Sequence, residues 1–164
     1  MKGVSGNADR YLASGIYSYE LANAAEIMRN HPSFDVDAMK ELLLNVFYPM
    51  NDAFLKNHND AHIGNYWANW DLCNIASMMS IGIFCDRENI YNQALTYYKT
   101  GLGNGSLYNT MPYVYEDGTA QWQEAGRGSV RPVYSMVYNH YVNRKGLSAP
   151  TLKAILYKDY TVEE

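Results

Sequence analysis

The stretch from Leu72 to Cys85 constrains the fold most. It runs about fourteen residues without a charged side chain, and only Asn74, Ser77, Ser80 and Gly82 interrupt its apolar character. That is too short to cross a membrane, which takes roughly 20 apolar residues in a helix. It is too long for an ordinary strand. A helix apolar nearly all round must be surrounded by other helices. The spacing therefore predicts a central helix over 66–85, with the rest of the chain built around it.

The neighbouring segments fit this role. Leu12, Ile16, Tyr19, Ala22 and Ile27 recur near helical spacing, predicting a helix from Asp9 to His31 that Pro32 ends. Ser33 is the expected N-cap of a second helix over 35–56, striped by Met39, Leu42, Leu43, Val46 and Phe47. Pro49 should kink or break that helix. The polar segment 57–65 reads as a loop. Asp86 is the expected cap of a fourth helix over 87–100, ended by Gly101, Gly103 and Gly105. Glu116-Asp117-Gly118-Thr119 is a turn between two short β-prone pieces. A further helix is expected over 131–143 with Gly146 as its end, and Ser148-Ala149-Pro150 opens a short last one. Helices of this length on short loops form antiparallel pairs. The expected class is all-α: antiparallel helix pairs in a single domain over residues 1–164.

Composition and charge narrow the function. Sixteen Tyr and three Trp stand against four Phe. Rings with polar handles suit half-wet surfaces such as sugar clefts and interfaces, though helix packing uses them equally. Residues 127–158 hold six basic side chains (Arg127, Arg131, Arg144, Lys145, Lys153 and Lys158) and no acidic one. A basic third within a chain of net charge -4 could face an anionic ligand or simply be a solvated helix face. No Lys/Arg-dense run or nucleic-acid motif is present, so nucleic acid is not an expected partner. Neither is a membrane. No apolar leader follows Met1-Lys2-Gly3-Val4. Cys73 and Cys85 lie twelve residues apart on one helix, roughly 18 Å, too far for a disulfide. His58 and His62 have the spacing of a metal pair on a helix, but their segment reads as a loop with no third ligand, so no metal or other cofactor is expected.

Three stretches resemble the alginate lyase superfamily, the helical toroid polysaccharide lyases. The first is Asn65-Tyr66-Trp67-Ala68-Asn69-Trp70-Asp71-Leu72-Cys73-Asn74, similar to the family's Trp-rich opening of a central helix. The second runs from Asp117 through Gln121-Trp122-Gln123-Glu124 to Arg127. The third is Arg127-Gly128-Ser129-Val130-Arg131-Pro132-Val133-Tyr134, leading to Tyr138-Asn139-His140-Tyr141. The chain departs from the family pattern in two places. Arg127 runs directly into Gly128, as at an internal deletion. Ile63-Gly64 stand where the family carries an Asn-His pair.

The resemblance implies that the helix pairs form a partial (α/α) toroid-like arrangement, and it implies cleavage of a uronate polymer such as alginate by β-elimination, in a secreted or periplasmic setting. That chemistry neutralises a carboxylate, removes the C5 proton and protonates the leaving O4. Asn69 and Arg127 would meet the carboxylate, with Glu124 orienting Arg127. Tyr134 would be acid or base, and His140 would assist. Arg127 and Tyr134, seven apart, share a face if helical. Tyr134, Tyr138 and Tyr141 are equally a packing stripe. Trp67, Trp70 and Trp122 would line sugar subsites, with Asn65, Gln123, Arg131 and Tyr138 as further substrate contacts. The alternative is an inactive or truncated relative that binds acidic glycans, or a helical scaffold that forms a homo-oligomer through its Tyr-rich faces.

Overall fold

A computed structural model describes residues 6–116, 120–121, 135–136 and 138–148. The described fold is all-α with one two-stranded ribbon. Its helices are α1 (Asp9–Met28), α2 (Val36–Leu42), α3 (Tyr48–Asn57), α4 (Ala68–Phe84), α5 (Glu88–Thr100) and the single turn α6 (Leu107–Thr110). Strands β1 (Tyr113–Val114) and β2 (Ala120–Gln121) pair antiparallel, with Tyr113 opposite Gln121. Among the described residues no helix is long and apolar enough to cross a membrane.

The apolar run is the centre of the molecule, as its sequence demands. α4 packs against α1, α3 and α5, and Leu72, Ile75, Met78, Met79 and Ile81 are fully buried. Each such side chain removed from water contributes about 1.5–3 kcal/mol.

α1 departs from expectation in the face it buries. Ile16 and Ile27, two of the five residues of the expected stripe, are 36% and 85% exposed. The buried face is instead small: Ser14, Gly15, Ser18, Ala22 and Ala25. Their spacing of three and four keeps them on one side of the helix. The reason is close approach. A Cβ on Gly15 would sit 2.5 Å from Cys73 Sγ and 2.9 Å from the Asn74 backbone nitrogen. Large side chains there would hold α1 and α4 apart.

The hydroxyls this face brings inward are satisfied by one residue of α3. Ser14 Oγ donates to Asn51 Oδ1 at 2.8 Å, and Asn51 Nδ2 donates to Ser77 Oγ at 2.5 Å. Ser18 Oγ lies against both the Ser14 carbonyl and Ser77 Oγ. All four side chains are buried, and buried polar groups must find such partners.

Pro49 neither ends nor sharply breaks its helix. A π-helical turn, Leu43–Phe47, joins α2 to α3 and puts Pro49 in the first turn of α3, where its missing N–H costs little. Two caps also differ from expectation. Asp35, not Ser33, caps α2, its carboxylate accepting the Ala38 N–H at 2.9 Å. Asp86 sits one residue outside the α5 cap in a left-handed conformation (φ 56°) and pairs with Lys40 at 2.9 Å. Cys73 and Cys85 are free thiols, and burial pushes both up in pKa.

Candidate functional site

Each end of α4 carries a histidine-bearing cluster, and the two differ in kind. The N-terminal end is closed and the C-terminal end is an open groove.

At the N-terminal end α3 terminates in a left-handed run. His58, Asn59 and Asp60 have φ of 47°, 53° and 58°. Non-glycine residues rarely adopt this conformation, and three in succession are strained. The run turns the His58 ring inward, where it is 1% exposed against Asp71 in the first turn of α4. His58 Nε2 is 2.8 Å from Asp71 Oδ1, and the Tyr97 hydroxyl of α5 is 3.3 Å from the same nitrogen. Facing a carboxylate, Nε2 carries the proton and donates. The Gly105 N–H donates to Asp71 Oδ2 at 2.8 Å. Burial and the Asp71 charge raise the Tyr97 pKa, so its hydroxyl keeps its proton, although a hydrogen bond from the Gly103 backbone works the other way.

The C-terminal end is a groove of about 530 Å3 between the end of α4, the start of α5 and residues 136–145. Gly82, Ile83 and Leu95 form apolar wall, and Tyr91, His140 and Tyr141 supply rings. Arg144 and Lys145 bring positive charge, while Asp86 and Glu88 line the α5 side. The Tyr91 and His140 rings lie 5.8 Å apart, and those of His140 and Tyr141 lie 4.9 Å apart in an edge contact. Lys99 Nζ donates to the Tyr141 hydroxyl at 3.1 Å. Partial burial lowers the His140 pKa, and Lys145, Arg144 and Lys99 lower it further. Its imidazole is therefore neutral at pH 7 and able to accept a proton. Tyr91 is shifted the other way, by burial and then by Tyr141, so it remains a phenol.

The expected site residues divide between these ends. Asn65 is exposed in a turn closed by its own N–H to the His62 carbonyl, at 2.9 Å. Trp67 is 60% exposed, whereas Trp70 packs against Tyr66 and Phe54 with ring separations of 4.7 and 5.8 Å. The two tryptophans do not share a helical face, because Trp67 is the extended N-cap residue and α4 begins after it. Asn69 is buried in the first turn of α4. His140 stands by Gly82, thirteen residues further along α4, so roughly 20 Å separates the two ends at 1.5 Å per residue. Asn69 and His140 are not brought into one cleft. Tyr138 belongs to the core at 8% exposure and does not line the groove. Arg127, Tyr134, Trp122, Gln123 and Arg131 lie outside the described residues. Of the histidine pair, His58 points inward to Asp71 while His62 is exposed and accepts the Gly64 N–H at 3.2 Å.

The sequence reading missed Tyr91 and Lys99 at the groove and Tyr97 at the closed end. Their signal was faint: tyrosines six and seven apart on an amphipathic helix look like packing. Glycines 103 and 105 were read as helix enders, yet both also make room. A Cβ on Gly103 would stand 2.6 Å from the Tyr97 hydroxyl and 2.8 Å from His58 Nε2. Compared with known proteins, the chain matches no family model, no curated protein and no solved structure.

Proposed function

We propose that this chain is a lyase-like domain that holds a uronate-containing, alginate-like polysaccharide in the His140 groove and cleaves it by β-elimination. The observation that carries the reading is an imidazole and a phenol, His140 and Tyr91, with rings 5.8 Å apart beside Arg144 and Lys145 in one groove. His140 is a neutral imidazole, Tyr91 is a protonated phenol, and Arg144 and Lys145 stand beside them. A base below its ordinary pKa is free at neutral pH, and an acid above its own keeps its proton until the leaving group takes it.

In this scheme the sugar carboxylate sits against Arg144 and Lys145, which offset the charge that builds as the C5 proton leaves. His140 Nδ1 or Nε2 takes that proton. The electron pair forms the C4–C5 double bond, the C4–O4 bond breaks, and Tyr91 protonates O4. By resemblance Arg127 and Tyr134 would add a third cation and a second phenol, and the helix pairs would form part of a toroid.

The test is incubation of the purified chain with alginate and other uronate polymers, followed by the near-ultraviolet absorbance of the unsaturated product. His140→Ala should lower the rate by about a hundredfold or more. Absence of any absorbance rise with every uronate polymer would refute cleavage.

One observation favours a second reading, in which the chain binds acidic glycans without cutting them. Ile63-Gly64 replace the Asn-His pair that the resemblance leads one to expect, and Asn69 lies at the far end of α4 from His140. Retention on an alginate column without turnover, reversed by salt, would establish this version.

A further inference from the structure

We infer that His58, Asp71 and Tyr97 form a latch that shuts two loops over the first turn of α4, and that the loops open as one strap. The loops are residues 58–67, between α3 and α4, and 101–106, between α5 and α6.

One carboxylate holds both. Asp71 Oδ1 takes His58 of the first loop and Oδ2 takes the Gly105 N–H of the second. The loops are also tied to each other, because Asn104 Nδ2 donates to the Tyr66 carbonyl at 2.6 Å and the Gly64 carbonyl at 3.1 Å. Neither loop can lift without disturbing the other's hold. The second loop lies directly on the helix end: a Cβ on Gly105 would be 3.1 Å from both the Ala68 carbonyl oxygen and the Leu72 nitrogen. The groups facing the His58 ring are Asp71 from α4, Tyr97 from α5 and Phe54 from α3, with Gly103 closing the loop side.

The closed strap works against two opposing loads. The His58–Asn59–Asp60 run is held in the left-handed region without a glycine. His58 Nδ1 is buried with no hydrogen-bond partner among the described residues. Opening relieves both at once, since the backbone relaxes and Nδ1 reaches water. The α1–α4 contacts hold no left-handed backbone among the described residues, so the strap should open locally long before the core does. Opening uncovers Asp71, buried when it is shut, beside the already exposed Trp67. The latch thus gates the polar end of α4.

Native-state amide hydrogen exchange on the full chain tests this. The two loops should exchange with one common opening constant, below the protection of α1 and α4. Asp71→Asn keeps the side-chain shape and removes the charge. It should lower protection in both loops together, by about tenfold, and leave the α1–α4 core unchanged. Independent exchange of the two loops, a response in only one, or equal loss across the core would overturn the proposal. If Asp71→Asn does not fold, Tyr97→Phe serves in its place: a smaller paired response supports the latch, and a response in one loop or neither overturns it.

Discussion

Gly103→Ala is the sharpest probe of the closed end of α4. The added methyl would fall inside van der Waals contact of Asp71 Oδ2, 2.6 Å from the Tyr97 oxygen and 2.8 Å from His58 Nε2. None of these three is the loose end of a surface side chain, for His58 and Asp71 are each 1% exposed. Carbon prefers neighbours near 3.5 Å, so the loop must move by about 1 Å. A shift of that size stretches the 2.8 Å Gly105–Asp71 hydrogen bond beyond useful length and disturbs the His58–Asp71 pair. Each buried hydrogen bond to a carboxylate contributes about 1.5–3 kcal/mol, so losing most of two costs about 3–5 kcal/mol. Alanine returns about 0.4–1 kcal/mol by stiffening the unfolded chain. The net loss is about 2–4 kcal/mol, and for a domain of this length that lowers Tm by roughly 5–15 °C. Gly64→Ala is the matched control. Its Cβ would meet nothing closer than His62 Nδ1 at 3.6 Å, so it should be neutral within about 0.5 kcal/mol. Thermal and denaturant unfolding of the two variants decides the matter. Equal stability of Gly103→Ala and the parent, or equal damage from both substitutions, would refute the reasoning.

Three further outcomes follow from other parts of the molecule. His140 lies below its ordinary pKa, so its folded form binds fewer protons than the unfolded chain between its folded pKa and about 6.5. Stability contributed there is present above that window and lost as pH falls through it; Lys145→Met should move the His140 titration upward in an NMR pH series, and an unmoved titration would contradict the assigned cause. Asp60 is exposed at φ 58°, so glycine there should be neutral or stabilising by up to about 1 kcal/mol, and valine should cost about 1 kcal/mol or more in urea unfolding. Asn51→Ala removes the hub of the Ser14–Ser18–Ser77 network and leaves a cavity, with an expected loss of about 2–4 kcal/mol; a change below about 1 kcal/mol would show that the hydroxyls re-pair without it.

What the sequence made legible, and what it hid, follows from the range of each interaction. The central helix was plain in Leu72–Cys85 because an uncharged run can be stable only when enclosed, a requirement independent of any partner. The helix end at Gly101 was plain because the backbone rule there is local, whereas α1 stops at Met28, three residues short of the His31 that Pro32 suggests. The buried face of α1 was hidden because Ser14, Gly15 and Ser18 bury themselves only when Cys73 and Asn74 come close, and hydropathy ranks Ile16 and Ile27 above them. The closed end of α4 was hidden more deeply. Its three side chains are thirteen and twenty-six positions apart along the chain, and His58 reaches Asp71 only because the backbone turns left-handed there. No periodicity encodes such a turn in His-Asn-Asp, although Asn and Asp tolerate it better than other residues. The groove shows the same logic in reverse. His140 was picked out by its chemistry, but its lowered pKa depends on burial and on Lys145, Arg144 and Lys99, and Lys99 comes from another helix. Residue type announced the candidate, and only packing supplied the electrostatics that lower its pKa.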